Sequence, residues 1–178
     1  MIRLLILLAV AAGSAWFGYV HALEQAPIQE MEKLERANVT AVGGYNITMR
    51  GFERRNMKSK VPSSNPDVLF VSCIYNLAKG PLRIYGQTSP HYWSLSLYAH
   101  NTDNYFVAND RELAGDRFDY LLVAEDAPPV QGDDTAIIRS PTSTGVVLMR
   151  YFVPTDADVP EISERIRQSG CEGEIVPP

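Results

Sequence analysis

Apolar and polar positions alternate most strictly over residues 92–100. Trp93, Leu95, Leu97 and Ala99 fall on one side, and Tyr92, Ser94, Ser96, Tyr98 and His100 on the other. Period-two patterning of this kind predicts a strand with one face on a core. Asn101-Thr102-Asp103-Asn104 follows as a turn rich in side chains that bond their own backbone, and the chain returns through 105–108 to Asn109-Asp110-Arg111. Residues 67–77 are apolar on both faces, with Val68, Phe70 and Ile74 on one side and Leu69, Val71, Cys73 and Tyr75 on the other. That pattern fits a central strand covered on both sides. Further short strands are expected at 45–49, 82–85, 120–123, 136–139 and 146–153, with turn-rich loops at 61–66, 79–81, 114–116 and 127–134. The result is a mainly β domain, an antiparallel β-sandwich or open barrel.

Helical periodicity is confined to the two ends. Residues 4–23 carry no charge other than His21, and a helix of about twenty residues spans a bilayer core. Arg3 precedes this segment and Glu24 and Glu30 follow it, which orients the N-terminus to the cytoplasm. A cleavable signal peptide ending at Ala22 competes with an uncleaved anchor; the long apolar run and Trp16 and Tyr19 near its outer end favour the anchor. Both readings put the remainder outside the cytoplasmic membrane; the anchor makes it a periplasmic domain on a single-pass protein of the cytoplasmic (inner) membrane. In residues 28–37, Ile28, Met31 and Leu34 make one apolar stripe behind Pro27, either a stalk or a helix packed on the domain. Near the other end Asp158 can cap a short helix with Pro160 in its first turn, Val159, Ile162 and Ile166 on one side, and Gly170 as its stop. The chain therefore divides into an anchor or signal peptide (1–23), a helical stalk or linker (24–43), a β domain (44–170) and a tail (171–178).

Charge narrows the function classes. The net charge of −5 argues against nucleic-acid binding, which needs a basic face. The one dense basic run, Arg50, Arg54, Arg55, Lys58 and Lys60, reads as a solvated loop or a contact for an anionic surface. Two cysteines, Cys73 and Cys171, lack metal or redox-motif spacing, and an exported location leaves open either a disulfide or two free thiols.

Candidate chemistry concentrates in the 92–111 hairpin. Tyr92, Tyr98, His100, Asp103, Asn109, Asp110 and Arg111 form a candidate binding surface, with tyrosine bodies suited to contact. His100 with Asp103 or Asp110 could also move protons, although a His and an Asp at a strand end commonly cap the turn. Metal ligation by His91 and His100 lacks supporting spacing, and no nucleophile elbow or phosphate-binding glycine motif is present. The sequence assigns no catalytic residue, metal or cofactor.

Three ordered segments, 65–84 (NPDVLFVSCIYNLAKGPLRI), 92–111 (YWSLSLYAHNTDNYFVANDR) and 137–153 (IIRSPTSTGVVLMRYFV), resemble the bacterial proteins grouped as domain of unknown function 1254, in particular their short membrane-anchored members. The resemblance runs over about 44–168 and implies a mainly β domain in the cell envelope. Some relatives carry or accompany a second uncharacterised β domain, which this chain lacks, and the family supplies no catalytic residues. The expected function is non-enzymatic binding of a companion envelope protein or an envelope ligand by a membrane-anchored β domain. The alternatives are an envelope hydrolase built on His100 with Asp103 or Asp110, and a small-ligand carrier with its pocket between the sheets.

Overall fold

The computed structural model describes residues 2–52, 65–113, 115–128 and 135–173. Arg54, Arg55, Lys58 and Lys60 of the basic run, positions 61–64 and 129–134 of two expected loops, Ala114 and the tail beyond Gly173 lie outside the described residues.

One helix, α1 (Ile2–Val42, 41 residues), merges the apolar segment with the amphipathic stretch. Pro27 lies inside it and does not open a second helix. Good helix formers flank the proline on both sides, so it removes one N–H from the ladder without ending the run. The first part of α1 is bare, with Leu4, Leu7, Phe17 and Leu23 all more than half exposed. Among the described residues it is the one helix long and apolar enough to cross a membrane.

The domain is a two-sheet sandwich. The first sheet has the order β1 (Thr48–Gly51), β2 (Val68–Asn76), β8 (Thr144–Phe152), β4 (Trp93–Ala99), β5 (Asn104–Asn109). The second runs β7 (Ala136–Ser140), β6 (Arg117–Ala124), β3 (Leu82–Gln87), β9 (Gly170–Gly173). All pairings are antiparallel except β6 with β7, because the connection after Ala124 carries the chain back to the starting end. The mainly β sandwich expected from the alternation is therefore what forms, with one parallel pair added. Expected strand edges move by a few residues: the strand read at 45–49 forms at Thr48–Gly51. Asn46, at φ 62°, turns the chain into it, its side chain accepting from Asn76 N at 2.7 Å.

The inward faces fill the space between the sheets. Trp93, Tyr75, Tyr151, Leu69, Leu95, Leu97, Leu122 and Met149 are essentially inaccessible, and Trp93 stacks on Phe118 of the other sheet at 5.2 Å. The expected C-terminal helix is α2 (Val159–Arg167), which sinks Ile162 and Ile166 into the same core. Each such burial is worth about 1.5–3 kcal/mol. Asp158 does not cap α2 with its side chain; its carboxylate instead accepts from Thr155 N at 3.0 Å and Thr155 Oγ1 at 2.7 Å. Part of the expected tail is a strand: β9 pairs with β3 and carries Cys171, which is bonded to Cys73 of β2 with their Cα atoms 6.5 Å apart. Four residues are too few to show a period, so sequence pattern alone could not mark β9.

Candidate functional site

Over β2 and β8 the outward face of the first sheet is largely apolar. In β2 the outward residues are Val68, Phe70, Ser72 and Ile74, and across the register stand Arg150, Leu148 and Val146 of β8. This explains why residues 67–77 read as apolar on both faces. The inward set builds the core, and part of the outward set meets α1. Met31 of the helix packs with Ile74 and Val146, joined by Val39, Tyr45, Tyr98 and Leu148.

Past that contact the helix and sheet diverge, leaving a groove of about 400 Å³ lined by Leu34 and Asn38 of α1, Met49 of β1, and the outward residues of β2 and β8. The lining is overwhelmingly apolar, and the size falls within the roughly 300–1,000 Å³ common to small-molecule sites. Gly51 helps to shape its floor. A Cβ there would stand 2.6 Å from the Phe70 ring, so only glycine lets Phe70 lie across β1.

Among the described residues Arg150 is the one charged residue lining the groove, and its Nη2 donates to the Tyr98 hydroxyl at 3.2 Å. Burial alone would raise the Tyr98 phenol. The Arg150 hydrogen bond and positive charge, helped by bonds to Asn104 and Ser96, outweigh it and bring the phenol below its usual range. Ser94 stands opposite Arg150 in the register. It is 3% exposed, and among the described residues its hydroxyl has no hydrogen-bond partner.

At the other side of the helix contact lies the one histidine–carboxylate contact between α1 and the sandwich among the described residues. His100 Nδ1 is 3.0 Å from Glu35 Oε1 and 3.2 Å from Thr144 Oγ1. Glu35 is only 6% exposed. A carboxylate can only accept, so Nδ1 carries the proton in this pair. Sequence reasoning placed His100 beside Asp103 and missed Glu35, which lies in a run of charged helix residues with nothing to set it apart.

The candidate residues of the hairpin separate into two groups. Tyr98, His100 and Asp103 lie at the turn end, where Asp103 takes a 2.7 Å bond from Asn101 and shapes the turn. Tyr92, Asn109, Asp110 and Arg111 lie at the opposite end, since Ser94 pairs with Asn109 while Tyr98 pairs with Asn104. At about 3.3 Å per residue this puts His100 and Asp110 roughly 20–25 Å apart. The structure thus does not bring them into one pocket. Asp110 borders a separate polar cleft of about 220 Å³ with Thr88, Asp116 and Arg165. His91 and His100 flank β4 at opposite ends, and His91 lies 3.8 Å from Asp158. Among the described residues no three His, Cys, Asp or Glu side chains gather as a metal site. Nor is the tyrosine face an open surface: Tyr92 is 52% exposed, but Ser94 and Ser96 are buried and Tyr98 lies under α1.

The boundaries of the sandwich coincide with those of a family model, Protein of unknown function (DUF1254), which matches residues 48–172, from the first residue of β1 into β9. The chain belongs to the DUF1254 family. No curated protein matches it in sequence. Among solved structures, it is similar to the VPA0106 protein of Vibrio parahaemolyticus, with 14% identity and a TM-score of 0.68 over 84% of this chain and 36% of that one. An uncharacterised protein from Burkholderia cenocepacia matches with 13% identity and a TM-score of 0.50, over 89% of this chain and 43% of that one. These likenesses concern the fold, and this chain spans less than half the length of either. The DUF1254 match excludes α1. The floor of the groove therefore belongs to the family domain, while the wall carrying Leu34 and Asn38 is supplied from outside it.

Proposed function

We propose that this DUF1254 protein is a non-enzymatic binding module of the cell envelope, tethered to the inner membrane by α1, with its β domain in the periplasm. Its ligand site is the groove between α1 and the outward face of β2 and β8. The observation that carries this reading is the apolar lining of that groove, on a sheet face that would otherwise carry polar residues. The groove lies outside the sandwich, so it replaces the inter-sheet pocket expected of a carrier. A hydrolase built on His100 needs Asp103 or Asp110 as its partner; Asp110 stands at the opposite end of the hairpin, and Asp103 takes a turn-shaping bond from Asn101.

The test uses the full chain in lipid nanodiscs and a neutral long-chain alcohol bearing a photoactivatable diazirine. Crosslinks are expected in peptides containing Val68–Ile74 and Val146–Arg150, as well as in the membrane part of α1. Leu148→Trp, which fills the groove, should remove the first set and leave the second. Labelling confined to α1 in the unmodified chain would overturn the ligand site. A companion envelope protein recovered from solubilised membranes, and shielding the same peptides, would make a protein the occupant.

A further inference from the structure

We infer that the ligand of this groove is a single-chain amphiphile with an anionic head, and specifically a free long-chain fatty acid whose carboxylate meets Arg150. The inference rests on the binding-module reading and adds a chemical class to it. Two observations define the groove. Arg150 lines a largely apolar cleft, and among the described residues its one hydrogen-bond partner is the Tyr98 hydroxyl, with no carboxylate to balance its charge. Most of the remaining lining supplies hydrocarbon, from Leu34, Met49, Val68, Phe70, Ile74 and Leu148, with the neutral Asn38, Asn65 and Ser72 among it.

Arg150 is partly exposed, and an anion that joins it against the apolar walls gains a charge-assisted hydrogen bond to the guanidinium. A carboxylate suits the planar donor fork better than a point charge would. A neutral apolar ligand would fill the floor but leave the guanidinium as it is.

Size and position choose the source. At about 400 Å³ the groove suits one chain; a two-chain lipid would leave much of itself outside. Leu34 is eleven residues beyond Leu23, a rise of roughly 16 Å along α1, so the site stands clear of the bilayer core. A fatty acid leaves a bilayer far more readily than a phospholipid does, because each methylene it need not extract saves about a fourfold factor in the partition constant.

The experiment compares matched diazirine probes, a C16 fatty acid and the C16 alcohol, on the full chain in zwitterionic nanodiscs at pH 8, reading half-maximal labelling of the Val146–Arg150 peptide. The acid should label at about tenfold lower concentration than the alcohol. Arg150→Gln should erase that preference, bringing acid and alcohol to equal half-maximal concentrations, and Arg150→Lys should keep part of it. Unlabelled palmitate should compete better than lysophosphatidylglycerol. Equal labelling by acid and alcohol, or a preference that survives Arg150→Gln, overturns the anionic assignment while leaving the groove as a binding site. Stronger competition by the lysophospholipid overturns the carboxylate in favour of a phosphate head. If neither probe labels the groove peptides, the binding-module reading itself fails.

Discussion

At the scale of single residues, the pairing of Cys73 with Cys171 has the largest consequence for stability. The two lie 98 positions apart, so their bond closes most of the domain into one loop. In the chain-entropy view a closure of that length is worth about 4.7 kcal/mol, and typical measured values are about 2–4. It also ties β2 of one sheet to β9 of the other, and β9 is only four residues long. Replacing both cysteines by alanine should therefore cost about 2–4 kcal/mol in denaturant unfolding. It should also loosen β9 first, seen as faster amide exchange at Gly170–Gly173. An unchanged midpoint would show that the sandwich does not depend on the bond. The sequence left this pair open because distance is set by folding. β9, which brings Cys171 onto β3 and within reach of Cys73, carries no pattern of its own.

At the scale of elements, every strand but β9 was legible and the meeting of α1 with the sandwich was not. Alternation in 92–100 marked β4 and its core face, because that strand has one wet side in its local pattern. The double apolar character of β2 was legible too, but what covers its second face was not, since the cover comes from a helix some forty residues earlier in the chain. The helix stripe expected through Ile28, Met31 and Leu34 is displaced in the fold. Met31, Glu35 and Val39 face the sheet, while Leu34 turns to the groove. A buried carboxylate in that stripe broke the apolar pattern, and only its partner His100 makes sense of it. His100→Ala would leave Glu35 buried beside Thr144 without its ring partner, at a cost of about 1–3 kcal/mol to helix docking. Amides of residues 31–39 should then exchange faster, while those of β4 and β8 hold. Equal exchange across α1 in both proteins would show that Met31 and Val39 alone secure the helix.

At the scale of the whole molecule, the proposed placement of the sandwich on the oxidising side of the membrane would suit the anchor and the disulfide together. Arg3 before the apolar segment and Glu24 and Glu30 after it favour that orientation. Disulfides persist in the periplasm and are reduced in the cytoplasm. A single-pass topology with a periplasmic domain should therefore leave Cys73 and Cys171 unreactive to alkylation in intact cells until a reductant is added. Protease added to spheroplasts should digest the sandwich, and inverted vesicles should protect it. The full chain should stay in the membrane fraction after carbonate extraction. A soluble form beginning at Leu23 would replace the anchor with a cleaved signal. The groove wall at Leu34 would survive that change, since it lies in the part of α1 that packs on the sheet. Thiols that alkylate freely in intact cells, together with protease resistance in spheroplasts, would place the domain on the cytoplasmic side. They would remove the periplasm from the proposed function without touching the geometry of the groove, so the two claims can fail separately.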